Sequence, residues 1–154
     1  MGYNPSNFKG DNKPVENLSY AMIYDFVRKI QLGTHYHVTL PTIDQWEYAC
    51  RAGSTTRFSW GETFNGTEAN YEGNVISPSG CTTEVDRFPP NAWGFFDMHG
   101  NVWECCLPSQ DISDDICVGK GGAWNRKPAY CTYDFGLSIV REKNIGLRLV
   151  CEDL

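Results

Sequence analysis

The sequence predicts an α+β fold, with two helices packed on small antiparallel sheets beside a long irregular loop region. Three observations predict it. Two segments, 19–33 and 41–53, carry helical hydrophobic spacing together with start and stop residues. Four β-rich runs, at 35–40, 57–60, 118–124 and 145–150, are too short for anything but small sheets. Residues 54–90 are rich in Gly, Asn, Ser, Thr and Pro, a length of irregular chain that would ordinarily argue against a compact domain.

The first helix is expected over 19–31. Ser19 is its N-cap, Met22, Phe26 and Ile30 recur at every fourth position with Ile23 and Val27 beside them, and Gly33 ends it. His35 to Leu40 alternates as a short strand, on which His35 and His37 share one face. Two histidines at that spacing suit a metal, but no third ligand lies nearby in the sequence, so exposed strand histidines are the expectation.

The second helix has the clearest start. Thr42 caps it and Gln45 completes a T-x-x-Q capping box after Pro41. Trp46, Ala49 and Cys50 then face the core and Gly53 stops the helix. Beyond the loop region, with Arg57–Trp60 as its one strand-like piece, Val118–Trp124 and Ile145–Val150 read as closing antiparallel strands. The polar, aromatic interval 125–144 has no clean period and reads as surface.

Composition sets the bounds. The 154 residues are expected to form one domain, and 41% hydrophobic and 14% aromatic content suits a folded globule. A net charge of −6 with scattered basic residues excludes a nucleic-acid footprint. No apolar run approaches membrane-spanning length, so no membrane insertion is expected. The N-terminus lacks a signal-peptide pattern; synthesis in the cytoplasm is expected, with any virion or cell-surface association made through a partner. Seven cysteines, none in C-x-x-C spacing, read mainly as reduced, buried thiols.

The stretch the chain is organised around is Phe88–Glu104, FPPNAWGFFDMHGNVWE. Pro89 and Pro90 remove backbone donors, while Gly94 and Gly100 permit conformations other residues resist. Trp93, Phe95, Phe96 and Trp103 are expected to anchor the loop into a core. Asp97 and Glu104 place carboxylates around the Gly100-Asn101-Val102 turn, whose carbonyls complete a candidate cation site. The competing reading has Asp97 capping the turn and Glu104 paired with an Arg or Lys.

This run strongly resembles the signature of the formylglycine-generating-enzyme-like (sulfatase-modifying-factor) domain, a branch of the C-type lectin fold. NPSNFKG (4–10), PVENLSYAMIYDF (14–26), LPTIDQWEYACRAG (40–53), GKGGAWN (119–125) and NIGLRLV (144–150) match in order on either side. The resemblance implies a C-type-lectin-like fold, in which a long ordered loop region is normal. It implies that the chain lacks the family's usual N-terminal strand and helix. The protein is then either trimmed, naturally short, or given its first strand by another chain. It also implies structural Ca²⁺ at Asp97, Gly100, Val102 and Glu104, and suggests a second, poorer site at Asn70.

The same resemblance argues against catalysis. The family's enzymes hold copper(I) between two cysteines that stand five residues apart after a GGS-aromatic motif. Here the motif reads Gly121-Gly122-Ala123-Trp124, the second cysteine falls on Cys131 and the first on Arg126. A bis-thiolate copper site is therefore not expected, because an arginine brings positive charge where the cation would sit. The expectation is a non-catalytic ligand- or receptor-binding module; the alternative is an oxidoreductase of the formylglycine-generating type, or a degenerate relative, using Cys131. The binding surface is expected at Asn125, Arg126, Lys127, Tyr130, Thr132, Tyr133 and Phe135, with Ser138 and Arg141 further on. Its ligand would be a protein or another cell-surface ligand. Position just before NIGLR (144–148) also resembles the diversified segment of variable proteins of diversity-generating retroelements, found in phages, bacteria and archaeal viruses.

Overall fold

A computed structural model describes residues 2–74, 80–108, 117–139 and 143–153. Helix α1 spans Tyr20–Leu32 and α2 spans Ile43–Arg51. The strands are β1 (His37–Thr39), β2 (Trp103–Cys106), β3 (Cys117–Lys120), β4 (Gly136–Ile139), β5 (Ile145–Gly146) and β6 (Val150–Glu152). A 3₁₀ turn covers Pro128–Tyr130.

Both helices start where local chemistry places them. Ser19 Oγ accepts the Met22 N–H at 3.3 Å, and Gly33 closes α1 on the Ile30 carbonyl. At α2, Thr42 Oγ1 accepts the Gln45 N–H at 3.2 Å and Gln45 Oε1 accepts the Thr42 N–H at 2.9 Å, so both bonds of the box form. Helix α2 leaves through left-handed Ala52 and Gly53.

The larger sheet has the order β4-β3-β2-β5, and the smaller pairs β1 with β6. Pairing is antiparallel except for β2 with β5, which run parallel. Strand β2 is buried on both faces and separates two cores. Trp103 and Cys105 pack with Leu18, Ile23, Leu40 and Ile145 on the α1 side. Cys106 packs with Trp46, Cys50 and Met98 beneath α2.

Several expectations are corrected. Residues 57–60 form no strand: Phe58 bridges only to Gly61, because the Ser54 and Thr56 hydroxyls turn the chain back onto the Phe58 carbonyl. The strand expected over 118–124 ends at Lys120, because Gly121 and Gly122 both take left-handed φ. The segment expected as one strand over 145–150 divides between two sheets, and the break lets Arg148 reach the interior. The interval 125–144 is not wholly irregular, since β4 adds a strand beside β3. Cys105 and Cys117 form a disulfide across β2 and β3, so these two are not reduced thiols. Only Trp103 of the four loop aromatics is core; Trp93, Phe95 and Phe96 are exposed. His37 meets Glu152 across the small sheet at 3.4 Å.

Candidate functional site

The Gly100–Val102 turn is sewn to the long loop through its backbone. Asp97 and Asn101 are left-handed at φ 56° and 64°, and a Cβ on Gly100 would run into the Asn70 carbonyl. The Asn101 N–H donates to Asn70 O at 2.8 Å, and Asn101 Oδ1 accepts the Thr83 N–H at 3.0 Å. Asn70 in turn donates its amide to the Cys81 carbonyl at 3.0 Å. An acidic partner for an Asn70 site would fall in 77–83, of which 77–79 lie outside the described residues.

Glu104 follows the turn as the second residue of β2. Arg148 Nη2 donates to Glu104 Oε1 at 2.6 Å, Arg148 Nε to Oε2 at 2.8 Å, and Trp46 Nε1 to Oε2 at 2.7 Å. Arg148 Nη2 also donates to the Phe96 carbonyl at 2.9 Å. The pairing of Glu104 with an arginine, the competing reading of this residue, is therefore what the geometry contains.

Asp97 differs. Its Oδ2 accepts the Asp86 N–H at 3.2 Å, while Oδ1 is buried without a partner. Burial, with the Glu104 charge adding to it, pushes the Asp97 carboxyl up to about 6 against the Asp86 N–H bond. A buried carboxylate oxygen without a partner is a group that a hard cation could take as ligand. Glu104 spends three of its roughly four lone-pair positions on Arg148 and Trp46, leaving it a poorer ligand than Asp97.

His99 fills the space behind the turn. Its Nδ1 lies 2.6 Å from the Cys131 carbonyl, which only accepts, so Nδ1 carries the proton. Nε2 then accepts the Ser59 N–H at 3.2 Å and lies 3.5 Å from Cys50 Sγ. Desolvation holds the imidazole down at about 4, neutral under ordinary conditions. Phe58 and Trp60 pack against it edge-on, tying down the long loop.

The expected binding surface is partly assembled. Five of its residues, Asn125, Arg126, Lys127, Tyr130 and Phe135, line one cavity of about 470 Å³, completed by Glu72 and Trp103. Tyr130 meets Phe135 edge-on at 4.9 Å, and Phe135 leans on Trp103 at 6.0 Å. Trp103 Nε1 and Asn125 Oδ1 are buried with no partner. Thr132 is buried, 5% exposed, and lines a smaller cavity of about 230 Å³ with Arg57, Asp134 and Phe135. Tyr133 is turned away, its ring carrying the Arg51 guanidinium at 3.5 Å. The Ser138 side chain and Arg141 lie outside the described residues.

Sequence reading missed Glu72 and Arg57 as neighbours of this face. Glu72 is delivered by its backbone N–H, which donates to the Arg126 carbonyl at 2.9 Å, a long-range bond that no local pattern reports.

The residues do not fit a bis-thiolate copper site. Cys131 is fully buried, packed under Gly122, and desolvation pushes its thiol up to about 12. Arg126 stands at the position of the first cysteine. Among the described residues no three His, Cys, Asp or Glu side chains group to hold a metal.

The family model of the sulfatase-modifying factor enzyme 1-like domain matches residues 1–153. The formylglycine-generating enzyme of Mycobacterium tuberculosis is 31% identical over 128 aligned positions, covering 60% of this chain and 42% of that protein. The inactive C-alpha-formylglycine-generating enzyme 2 of Bos taurus is 34% identical over 97 positions, covering 55% of this chain and 32% of that protein. The chain thus spans less than half the length of these relatives. Among solved structures, Treponema denticola variable protein 1 superposes with a TM-score of 0.84 at 23% identity, covering all of this chain and 79% of that one. The fold is that of the formylglycine-generating enzymes and their C-type-lectin-like neighbours.

Proposed function

This chain belongs to the sulfatase-modifying factor enzyme 1-like family, and on that premise we propose that it is a non-catalytic binding module presenting the face around residues 124–135. One observation carries the reading. Five residues of that face, Asn125, Arg126, Lys127, Tyr130 and Phe135, gather in a single cavity of about 470 Å³, with Lys127 and Tyr130 exposed. A concave site that brings charged, amide and aromatic side chains together has the make-up of a ligand-binding face. The alternative, chemistry at Cys131, is disfavoured by a protonated thiol with no exposed surface.

The face also supports the narrower reading that this is a variable protein of a diversity-generating retroelement. That reading rests on the placement of the face just before Asn144–Arg148 and on the likeness in fold to a protein named as variable. A reverse-transcriptase gene beside this one, with a near-copy of the codons for residues 120–150, is its test. A neighbourhood with neither removes the retroelement and leaves the binding module.

The binding reading is tested by alanine variants at Asn125, Arg126, Lys127 and Tyr130, set beside Trp46→Ala and Trp103→Ala. The first group should change capture of a partner while shifting stability by less than about 1 kcal/mol. The second should cost about 3–5 kcal/mol. Face variants that unfold like core truncations place the functional surface elsewhere.

A structural Ca²⁺ held by Asp97 Oδ1, the Gly100 and Val102 carbonyls and Glu104 belongs to the same proposal. It would fasten the Gly100–Val102 turn, and no copper is part of it.

A further inference from the structure

We infer that Asn65 is a site of spontaneous covalent modification, at which the Gly66 amide nitrogen closes a ring on the Asn65 side chain and the Glu68 carboxylate takes the proton. The products are aspartate and isoaspartate at position 65. The site lies outside the residues named for the binding face and does not depend on that reading.

Sequence supplies the first condition. Asn65-Gly66 is the one Asn-Gly pair in the chain. Ring closure is intramolecular, so it is governed by how closely the next residue's nitrogen can approach the side-chain carbon. A residue without Cβ hinders that approach least. Gly66 also sits at φ 88°, where any other side chain would be strained.

The second condition is a free carboxamide. Asn65 is exposed, and its side-chain amide has no hydrogen bond among the described residues. Other asparagines are held. Asn17, Asn70 and Asn91 donate their amides to the carbonyls of Pro5, Cys81 and Ala49 at 3.1, 3.0 and 2.7 Å. Those side chains must break a bond before they can turn onto the backbone, and Asn65 has none to break.

Third, a base is anchored beside the reacting nitrogen. Glu68 Oε2 accepts the Asn65 N–H at 3.2 Å and the Thr67 N–H at 3.0 Å, the amides on either side of Gly66. The Gly66 N–H has no partner among the described residues, and Gly66 is buried from bulk hydroxide, which leaves this carboxylate to take its proton. As that proton moves to Glu68, the bond from Gly66 N to Asn65 Cγ forms. The Cγ–Nδ2 bond then breaks and ammonia leaves with the proton. Water opens the ring at the side-chain carbonyl to give aspartate, or at the main-chain carbonyl to give isoaspartate. One water enters, one ammonia departs, and nothing is oxidised or reduced.

The isoaspartate product lengthens the main chain by one carbon next to a packed aromatic group. Phe64 meets Tyr71, Phe58 and Trp60 edge-on at 4.3, 5.1 and 5.2 Å. Even a Cβ on Gly66 would stand 3.2 Å from the Tyr71 hydroxyl. The longer chain therefore has to displace Phe64 or Tyr71, since close-packed contacts do not absorb an added carbon.

The test ages the full chain at physiological temperature and neutral pH. Peptide 58–87 from tryptic cleavage is then read by mass spectrometry and by isoaspartate-specific carboxyl methylation. Aspartate and isoaspartate should accumulate at residue 65 well ahead of any change at Asn17, Asn70 or Asn91. Glu68→Gln keeps an oxygen for the two flanking amides but is no base, and should slow the conversion about tenfold or more. The isoaspartate fraction, separated by ion exchange, should melt below the unaged protein, while Asn65→Gln should age without change in mass at 65 or in melting temperature. Both variants are read for folding by the same melt. An intact Asn65 in the aged folded chain, with conversion confined to chain unfolded in guanidinium, overturns the site. Equal rates in the parent and Glu68→Gln overturn the carboxylate as the base.

Discussion

Arg148 and Glu104 form a two-pronged ion pair, with guanidinium nitrogens 2.6 and 2.8 Å from the two carboxylate oxygens. The pair joins the end of the chain to the central turn, and Trp46 from α2 holds the same carboxylate at 2.7 Å. Three segments far apart in sequence therefore meet on one buried side chain. Arg148→Met would leave the Glu104 charge buried with the indole as its remaining partner, and should cost about 3–5 kcal/mol in urea unfolding. Glu104→Gln combined with Arg148→Met should recover much of that loss, because no unpaired charge is left. A single variant as stable as the parent would show that the pair contributes little.

The same pair shows why part of this architecture was legible and part was not. The helices were readable because their signals are local: Ser19, Thr42, Gln45 and Gly53 act on neighbours a few residues away. Arg148 was readable only as part of the family-like segment NIGLRLV (144–150), since its partner is 44 positions distant. Burial of Trp93 and Phe95 was expected from residue type and is wrong for a specific reason. Asn91 accepts both their N–H groups at 3.1 Å and donates to the Ala49 carbonyl at 2.7 Å, which turns that loop outward. Of the site, the face residues were legible as a group, but Glu72 arrives through a backbone bond and Tyr133 is diverted by Arg51. Neither contact leaves a local mark in sequence.

No formylglycine should be made. Arg126 stands where the first thiolate is needed, and the Cys131 thiol is held protonated by burial. Incubation with Cu(I) and a sulfatase-type cysteine peptide should yield no aldehyde by mass spectrometry. Aldehyde formation abolished in Cys131→Ala would overturn the non-catalytic reading and return the alternative enzyme to first place.

Two buried groups make opposite demands on pH. Desolvation depresses His99 from 6.5 to about 4, so below pH 6.5 the unfolded chain takes up a proton that the folded one refuses. Stability is then lost as pH falls from 6.5 to 4, by about 3 kcal/mol. Burial raises Asp97 from 3.8 to about 6, so the folded state binds the proton first and stability is gained as pH falls from 6 to 4. The two contributions offset one another over that window. Urea unfolding in EDTA should therefore show Asp97→Asn losing stability on acidification from 6.5 to 4 much more steeply than the parent. Parallel profiles for the two proteins would contradict this assignment.

Calcium is the remaining test of the turn, and Asp97 gives it a sharp form. Its Oδ1 is buried and unpartnered, while its backbone sits at φ 56°, a conformation that Asn also tolerates. Asp97→Asn therefore removes the charge a cation would use without disturbing the turn. If Ca²⁺ binds the folded state alone, saturation to 100 times the dissociation constant adds about 2.7 kcal/mol. For a domain of this size each kcal/mol moves the melting temperature by about 2–4 °C. The parent protein, stripped with EDTA, should thus melt several degrees higher in millimolar Ca²⁺, and Asp97→Asn should not respond. Arg148→Met should respond more strongly than the parent, because Glu104 then regains the lone pairs now given to the guanidinium. A melting temperature unchanged between EDTA and Ca²⁺ in both the parent and Arg148→Met would mean that the Arg148 guanidinium is the turn's resident cation and that no metal is needed there.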